Sequence, residues 1–154
     1  HARTDTKIIR ELAEDEKAYR SLTKSWFAHS PFLEMLKQIA EKDAIVYITT
    51  DHGSVKVDEP SQMVADKSVN NNLRYKVGKN MHYKDSEVFE IKDLAAAKLP
   101  KSNFNSKFIF AKENKFFAYK NNYNHYAKYY KDTFQHGGIS MEEVIIPIVK
   151  LKKK

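Results

Sequence analysis

A chain of 154 residues, 42% of them hydrophobic, with a mean hydropathy of −0.66, holds enough apolar material for one domain with a core. It offers no stretch near the ~18 apolar residues that span a bilayer. The absence of cysteine removes disulfides, thiolate metal sites and thiol nucleophiles, and the net charge of +7 reads as a solvated Lys-rich surface, because only four of the 27 basic residues are Arg, the better phosphate reader.

Residues 5 to 28, "DTKIIRELAEDEKAYRSLTKSWFA", place Ile8, Ile9, Leu12, Tyr19, Leu22 and Trp26 at helical intervals, which predicts one long helix or two short ones. "HSPFLEMLKQIAEKD" follows with Ser30 at the N-cap and Pro31 at the first helical position, then Phe32, Leu33, Leu36 and Ile39 on one side, a packed helix. "AIVYITT" is a β-branched run that reads as a strand buried on both faces, so helix and strand together predict an α/β unit. The middle is less regular. "SVKVDEPSQMVA" suits an edge strand ended by Pro60, "NNNLRYKVGKNMHY" reads as loop, "SEVFEI" as a strand and "DLAAAKLP" as a short helix closed by Pro100. "SKFIFAKENKFFAYK" has the outline of a β-hairpin around Glu113, Asn114 and Lys115. "YNHYAKYYKDTFQ" reads as helical or irregular, Ser140 to Glu143 fits the S-x-x-E capping box, and "VIIPIV" reads as a strand with Pro147 at an edge or bulge.

The chemistry concentrates in two phrases. Of four glycines, Gly53, Gly137 and Gly138 touch a histidine: "TTDHG" at the end of the predicted strand and "HGG" before the capped helix. Carboxyl ends of strands are where α/β sheets hold ligands, and glycine lets a loop approach a metal or phosphate closely. Asp51, His52 and His136 are therefore candidates to converge, and an oxygen donor with two imidazoles suits zinc, with manganese the other ion the set accommodates. Taken singly, each phrase also reads as an ordinary turn.

"TTDHG" followed by "HGGISMEEVIIP" resembles the carboxy-terminal half of the PglZ domain, a branch of the alkaline phosphatase superfamily. The nearest likeness is to the PglZ domain of PorX-type response regulators, where it follows a receiver domain and regulates type IX secretion in Bacteroidetes; "HARTD", "EKAYRSLTKSW" and "NLRYKVGKN" carry the likeness along the chain. The resemblance implies an alkaline-phosphatase-like central sheet flanked by helices, with an irregular insertion and a β-hairpin, the whole being the later part of one domain. It implies two zinc ions, with Asp51 and His52 on the ion that activates the nucleophile and His136 on the other. His1 would be the His of an Asp-x-x-x-His pair whose Asp lies upstream, as does the Thr or Ser nucleophile. A start at His1 rather than Met fits a processed product or a piece of something longer, with His1 itself then either a ligand or a cleavage remnant, and this chain alone is expected to be inactive.

Substrate contacts are open at this level. Arg74, with Lys76 and Lys79 nearby, suits a phosphate clamp or a surface ion pair, and His82 a phosphate donor or an ordinary surface residue. Tyr123, Tyr126 and Tyr130 suit either base stacking or core packing. The resemblance implies a metal-dependent phosphodiesterase acting on short or cyclic oligonucleotides, with a sensor kinase and secretion regulators as partners of the full protein. The alternative is a non-catalytic PglZ-fold module, with structural zinc, that mediates interaction or homodimerisation. No secretory leader is visible, and a cytoplasmic location without membrane insertion is expected.

Overall fold

The computed structural model describes residues 13, 15–66, 68–100 and 106–153. They form a mixed α/β structure of small sheets and four helices, divided between two compact units, His1–Asp51 with Ile146–Lys154 and His52–Ile145.

In the first unit, helix α1 (Glu16–His29) starts where the Asp15 carboxylate accepts the Ala18 N–H at 2.7 Å, filling one of the donors a helix start leaves unpaired. Helix α2 (Pro31–Ala40) follows at once, with Ser30 as N-cap and Pro31 in the first turn as predicted. Phe27 sits edge-on between Trp26 and Phe32, at centroid distances of 5.1 and 5.5 Å, and so ties the two helices at their junction. Strand β1 (Ile45–Thr49) pairs antiparallel with the last strand of the chain, Ile148–Lys152, from Ile45 opposite Lys152 to Thr49 opposite Ile148. The expectation that β1 is buried on both faces is corrected here. Its burial alternates, with Tyr47 62% exposed and Val46 and Ile48 half-buried, because the ladder has two strands among the described residues and one of its faces is bare. The closing strand likewise begins after Pro147 rather than containing it, and the Pro147 carbonyl accepts the Thr49 hydroxyl at 2.9 Å.

The second unit carries three further sheets. Strand β2 (Val55–Val57) pairs antiparallel with β8 (Thr133–Gln135). Strand β3 (Glu59–Met63) runs parallel to β7 (Lys115–Tyr119), and β4 (Tyr75–Gly78) and β5 (Val88–Ile91) flank β6 (Lys107–Ala111) on either edge. Helix α3 (Tyr123–Tyr130) follows β7, α4 (Met141–Val144) follows β8, and β9 is the closing strand of the first unit. Strands β6 and β7 are the ones buried on both faces: Phe108 and Phe110 pack with Leu94, Ile109 and Ala111 with Met63, Val88 and Phe117, and Phe116 and Ala118 with Val57. Tyr123, Tyr126 and Tyr130 pack against that last cluster, so the tyrosine stripe is core-facing.

Four local expectations change. The strands around Glu113 and Asn114 both form but do not pair as a hairpin, since both edges of β6 are already taken by β4 and β5 and β7 bonds to β3. Pro60 lies inside β3 rather than ending it, opposite Phe116. The "loop" after Asn72 contains β4. The "DLAAAKLP" helix is a single capped turn: Asp93 accepts the Ala95 and Ala96 N–H groups, and Lys98 at φ 53° reverses the chain with the Leu99 N–H on Leu94.

Candidate metal centre

The β2–β8 ladder places the two histidine phrases at one end of the same pair of strands. His52 stands just before β2, His136 directly after β8, and Val55 lies opposite Gln135. The imidazoles meet face to face, with ring centroids 3.9 Å apart and planes inclined by 11°, and both side chains belong to half-buried residues.

Glu143 holds both loops. Its backbone carbonyl accepts the Gly53 N–H at 2.9 Å. Its carboxylate accepts Gly138 N–H at 2.8 Å and Ser140 N–H at 3.3 Å, the latter being the carboxylate half of the capping box read from S-x-x-E. Gly53 has no substitute at this approach, since a Cβ there would lie 1.9 Å from the Glu142 carbonyl oxygen. Gly137 turns the chain at φ +101°, a region that side chains disfavour.

Arg74 completes the support. Its Nε and Nη2 each lie 3.0 Å from the two Glu143 carboxylate oxygens, a bidentate pair with both side chains 1% exposed, and its Nη1 donates to the Lys115 carbonyl. Burial alone would raise the Glu143 carboxyl. The Arg74 guanidinium, with the Gly138 N–H and Ser140, overcomes this and holds it below the usual carboxylate range. Asn72 donates to the His136 carbonyl at 3.2 Å, while its oxygen accepts the Arg74 and Tyr75 N–H groups.

The residues expected at the site thus fall in different places. His52 and His136 come together. Asp51 is an exposed residue at the end of the first unit, next to His52 in the chain. His1 lies outside the described residues. The guanidinium of Arg74 is turned into the interior of the second unit and committed to protein partners, not facing solvent as either a phosphate clamp or a surface ion pair would. His82 is exposed, bridged to Val64, in a concavity lined also by Lys84, Lys120 and Tyr123 and by neither paired histidine. Sequence reasoning missed Asn72 and the second task of Glu143; the Asx-turn habit of asparagine was the signal available for the first.

Two features test whether the histidines suit metal. His52 Nδ1 lies 2.8 Å from the Gly53 carbonyl; a carbonyl only accepts, so Nδ1 carries the proton and the ring lone pair is on Nε2. This backbone bond to the second nitrogen is the usual orientation of a metal-binding imidazole. The second feature is the stack. A lone pair lies in its ring plane, and with the planes near-parallel and the ring centroids 3.9 Å apart an ion held in the plane of one ring, at a Zn–N bond of about 2.0–2.1 Å, lies out of the plane of the other. The stack therefore suits at most one ion per imidazole and not one ion shared by both rings. Among the described residues no group of three or more His, Cys, Asp or Glu that could hold a metal ion gathers.

Compared with known protein families, residues 1–151 match the BREX system PglZ alkaline phosphatase-like domain. The chain belongs to this family. The PglZ domain is thus identified over almost all of its length, and the alkaline-phosphatase-like superfamily it sits in is typically metal-dependent. No curated protein matches the chain. None of the helices described in this PglZ domain is long and apolar enough to cross a membrane.

Proposed function

We propose that this PglZ domain is the later part of a two-metal phosphoesterase in which His52 and His136 each ligate one divalent ion, zinc in preference. The observation that carries the reading is the parallel stack of the two imidazoles at 3.9 Å. Asp51 joins His52 on the first ion and His1 is a further ligand from this chain, while the Asp paired with His1, the remaining Asp ligand and a Thr or Ser nucleophile come from the earlier part of the domain. Two bound ions would neutralise the attacking and leaving oxygens of an in-line phosphoryl displacement. Besides these ligands this chain contributes orientation: Glu143, Arg74 and Asn72 brace the loops on which the two rings stand. The reading extends to phosphodiesters, short or cyclic oligonucleotides among them, and to a response regulator of type IX secretion as the parent protein.

The test uses the parent protein with its domain intact. Asp51→Ala and His136→Ala each lower bound zinc, measured by mass spectrometry, and remove hydrolysis of bis(p-nitrophenyl) phosphate. Unchanged metal content in both variants rejects the assignment. A second reading, an interaction or homodimerisation module with structural zinc, is favoured by the bare face of the β1–β9 ladder, where Ile45, Tyr47 and Ile148 are exposed. Intact zinc without turnover on any phosphoester, and a dimer lost in Tyr47→Lys, would select it.

A further inference from the structure

Lys76, on β4, is 1% exposed, and its environment is unusual for a buried ammonium. Its Nζ donates to the Asn70 carbonyl at 2.9 Å and to the Tyr119 hydroxyl at 3.2 Å. An ammonium has three N–H groups; two are used in these bonds, Nζ also lies over the Tyr119 ring at 4.6 Å from its centroid, and among the described residues no carboxylate pairs with the charge. Burial is what displaces the group, pushing it down to about 8, still mostly protonated at neutral pH. The Tyr119 hydroxyl accepts from Lys76, so its own proton also points to no acceptor among the described residues. Burial raises that phenol too, which keeps it protonated.

Lys76 and Tyr119 are among the residues that border a cavity. Leu73, Lys76, Phe117, Tyr119, Tyr126 and Tyr130 line a space of about 350 Å³, within the range of small-molecule sites. A second space of about 420 Å³ shares Asn71, Tyr119 and Tyr126 with it, which leaves room for a ligand longer than one ring. The rings of Tyr126 and Tyr130 are near-parallel, inclined by 14° at 6.1 Å, and offer flat apolar surface. A buried charge without a counter-charge is strongly disfavoured unless something pairs with it. One ammonium N–H and one phenol O–H match the two oxygens of a carboxylate, whereas a phosphate monoester would bring three oxygens and a second charge to the same two donors.

We propose that this cavity binds a small aromatic carboxylate, its oxygens on Lys76 and Tyr119 and its ring against Tyr126 and Tyr130. The site is separate from the histidine pair, which lines neither cavity, and it does not rest on the phosphoesterase reading. The probe is benzoate, titrated calorimetrically into the parent protein with its domain intact, with and without a chelator, so that binding through an ion at His52 or His136 is told apart. Expected is saturable binding with a dissociation constant below about 1 mM. Lys76→Met weakens it at least tenfold, and Tyr119→Phe, which keeps the ring and removes the proton, about three- to tenfold. Lack of saturable binding, an affinity unchanged in both variants, or phenyl phosphate binding more tightly than benzoate would each overturn the proposal.

Discussion

Replacing Glu143 by Gln keeps its volume and removes its charge, and the structure sets the size of the effect. The native carboxylate accepts four bonds, from Arg74 Nε, Arg74 Nη2, Gly138 N and Ser140 N. A glutamine has one oxygen to offer, and its amide nitrogen would face N–H donors. The Arg74 charge would then stand buried and unpaired, a change that typically costs about 3–5 kcal/mol. With a urea m-value of about 2 kcal/mol per molar, the midpoint falls by about 1.5–2.5 M. The assay needs a probe in the second unit. Trp26 lies in the first, so near-ultraviolet circular dichroism of the tyrosines around Phe116 is the readout. The acid limb tests the same pair: a carboxyl held low in the fold contributes stability above its unfolded value of 4.5, lost as pH falls through the folded value. Wild-type protein should lose this contribution below about pH 4.5, and Glu143→Gln should lack that limb. A midpoint within about 0.3 M of wild type, with the acid limb intact, would refute the claim that this ion pair holds the second unit together.

Gly53→Ala sets a Cβ 1.9 Å from the Glu142 carbonyl oxygen, so the two loops must separate; a loss of about 1–3 kcal/mol is expected in urea unfolding, and a stability within 0.5 kcal/mol of wild type would contradict the geometry. Asn72→Asp keeps the oxygen that accepts Arg74 and Tyr75 and loses the donor to the His136 carbonyl, so metal affinity of the intact domain should fall more than stability does, read by competition with a chelator. Lys76 predicts an alkaline limb of unusual sign. Its folded-state value near 8 lies below the ordinary 10.5, so the unfolded chain binds more protons between them and stability rises from pH 8 to about 10, by about 2–3 kcal/mol. Above pH 10 Tyr83, Tyr119 and Tyr130, all raised chiefly by burial, reverse the trend; Lys76→Met should be flat between 8 and 10 in thermal unfolding.

The parts of this domain legible in its sequence are those where a local rule coincides with the tertiary one. Pro31 after Ser30 marks a helix start whatever surrounds it, and the S-x-x-E of Ser140 and Glu143 does the same for α4. The histidine phrases were legible because imidazole and glycine coincide with a predicted strand end at one and with a capping box at the other, while β8, which brings His136 to His52, was not read as a strand. Pairing partners were not. The Glu113 turn looks like the tip of a hairpin, and only the occupation of both β6 edges by β4 and β5 sends β7 elsewhere. Lys76 hid β4, since a charged residue at an inward position breaks the alternation by which strands are recognised. Arg74 was read as a surface or substrate group because sequence gives no sign of where its counter-charge lies, and that carboxylate sits 69 positions away.

Glu143 also shows how a carboxylate can brace the loops of both histidines while being unsuited to bind a metal itself. A carboxylate has about four lone-pair directions, and here all four point at N–H groups, two of them on a guanidinium that neutralises the charge. Such a group is a poor ligand, because reaching an ion would strand Arg74 in the interior. The same commitment keeps Arg74 from swinging out to a substrate. The pair is therefore electrically closed, and what it passes to the histidines is position alone: its backbone carbonyl fixes the Gly53 side and its carboxylate the Gly138 side. Because one residue bonds to both loops, Glu143 adds a direct tie between them to the one the β2–β8 ladder already provides.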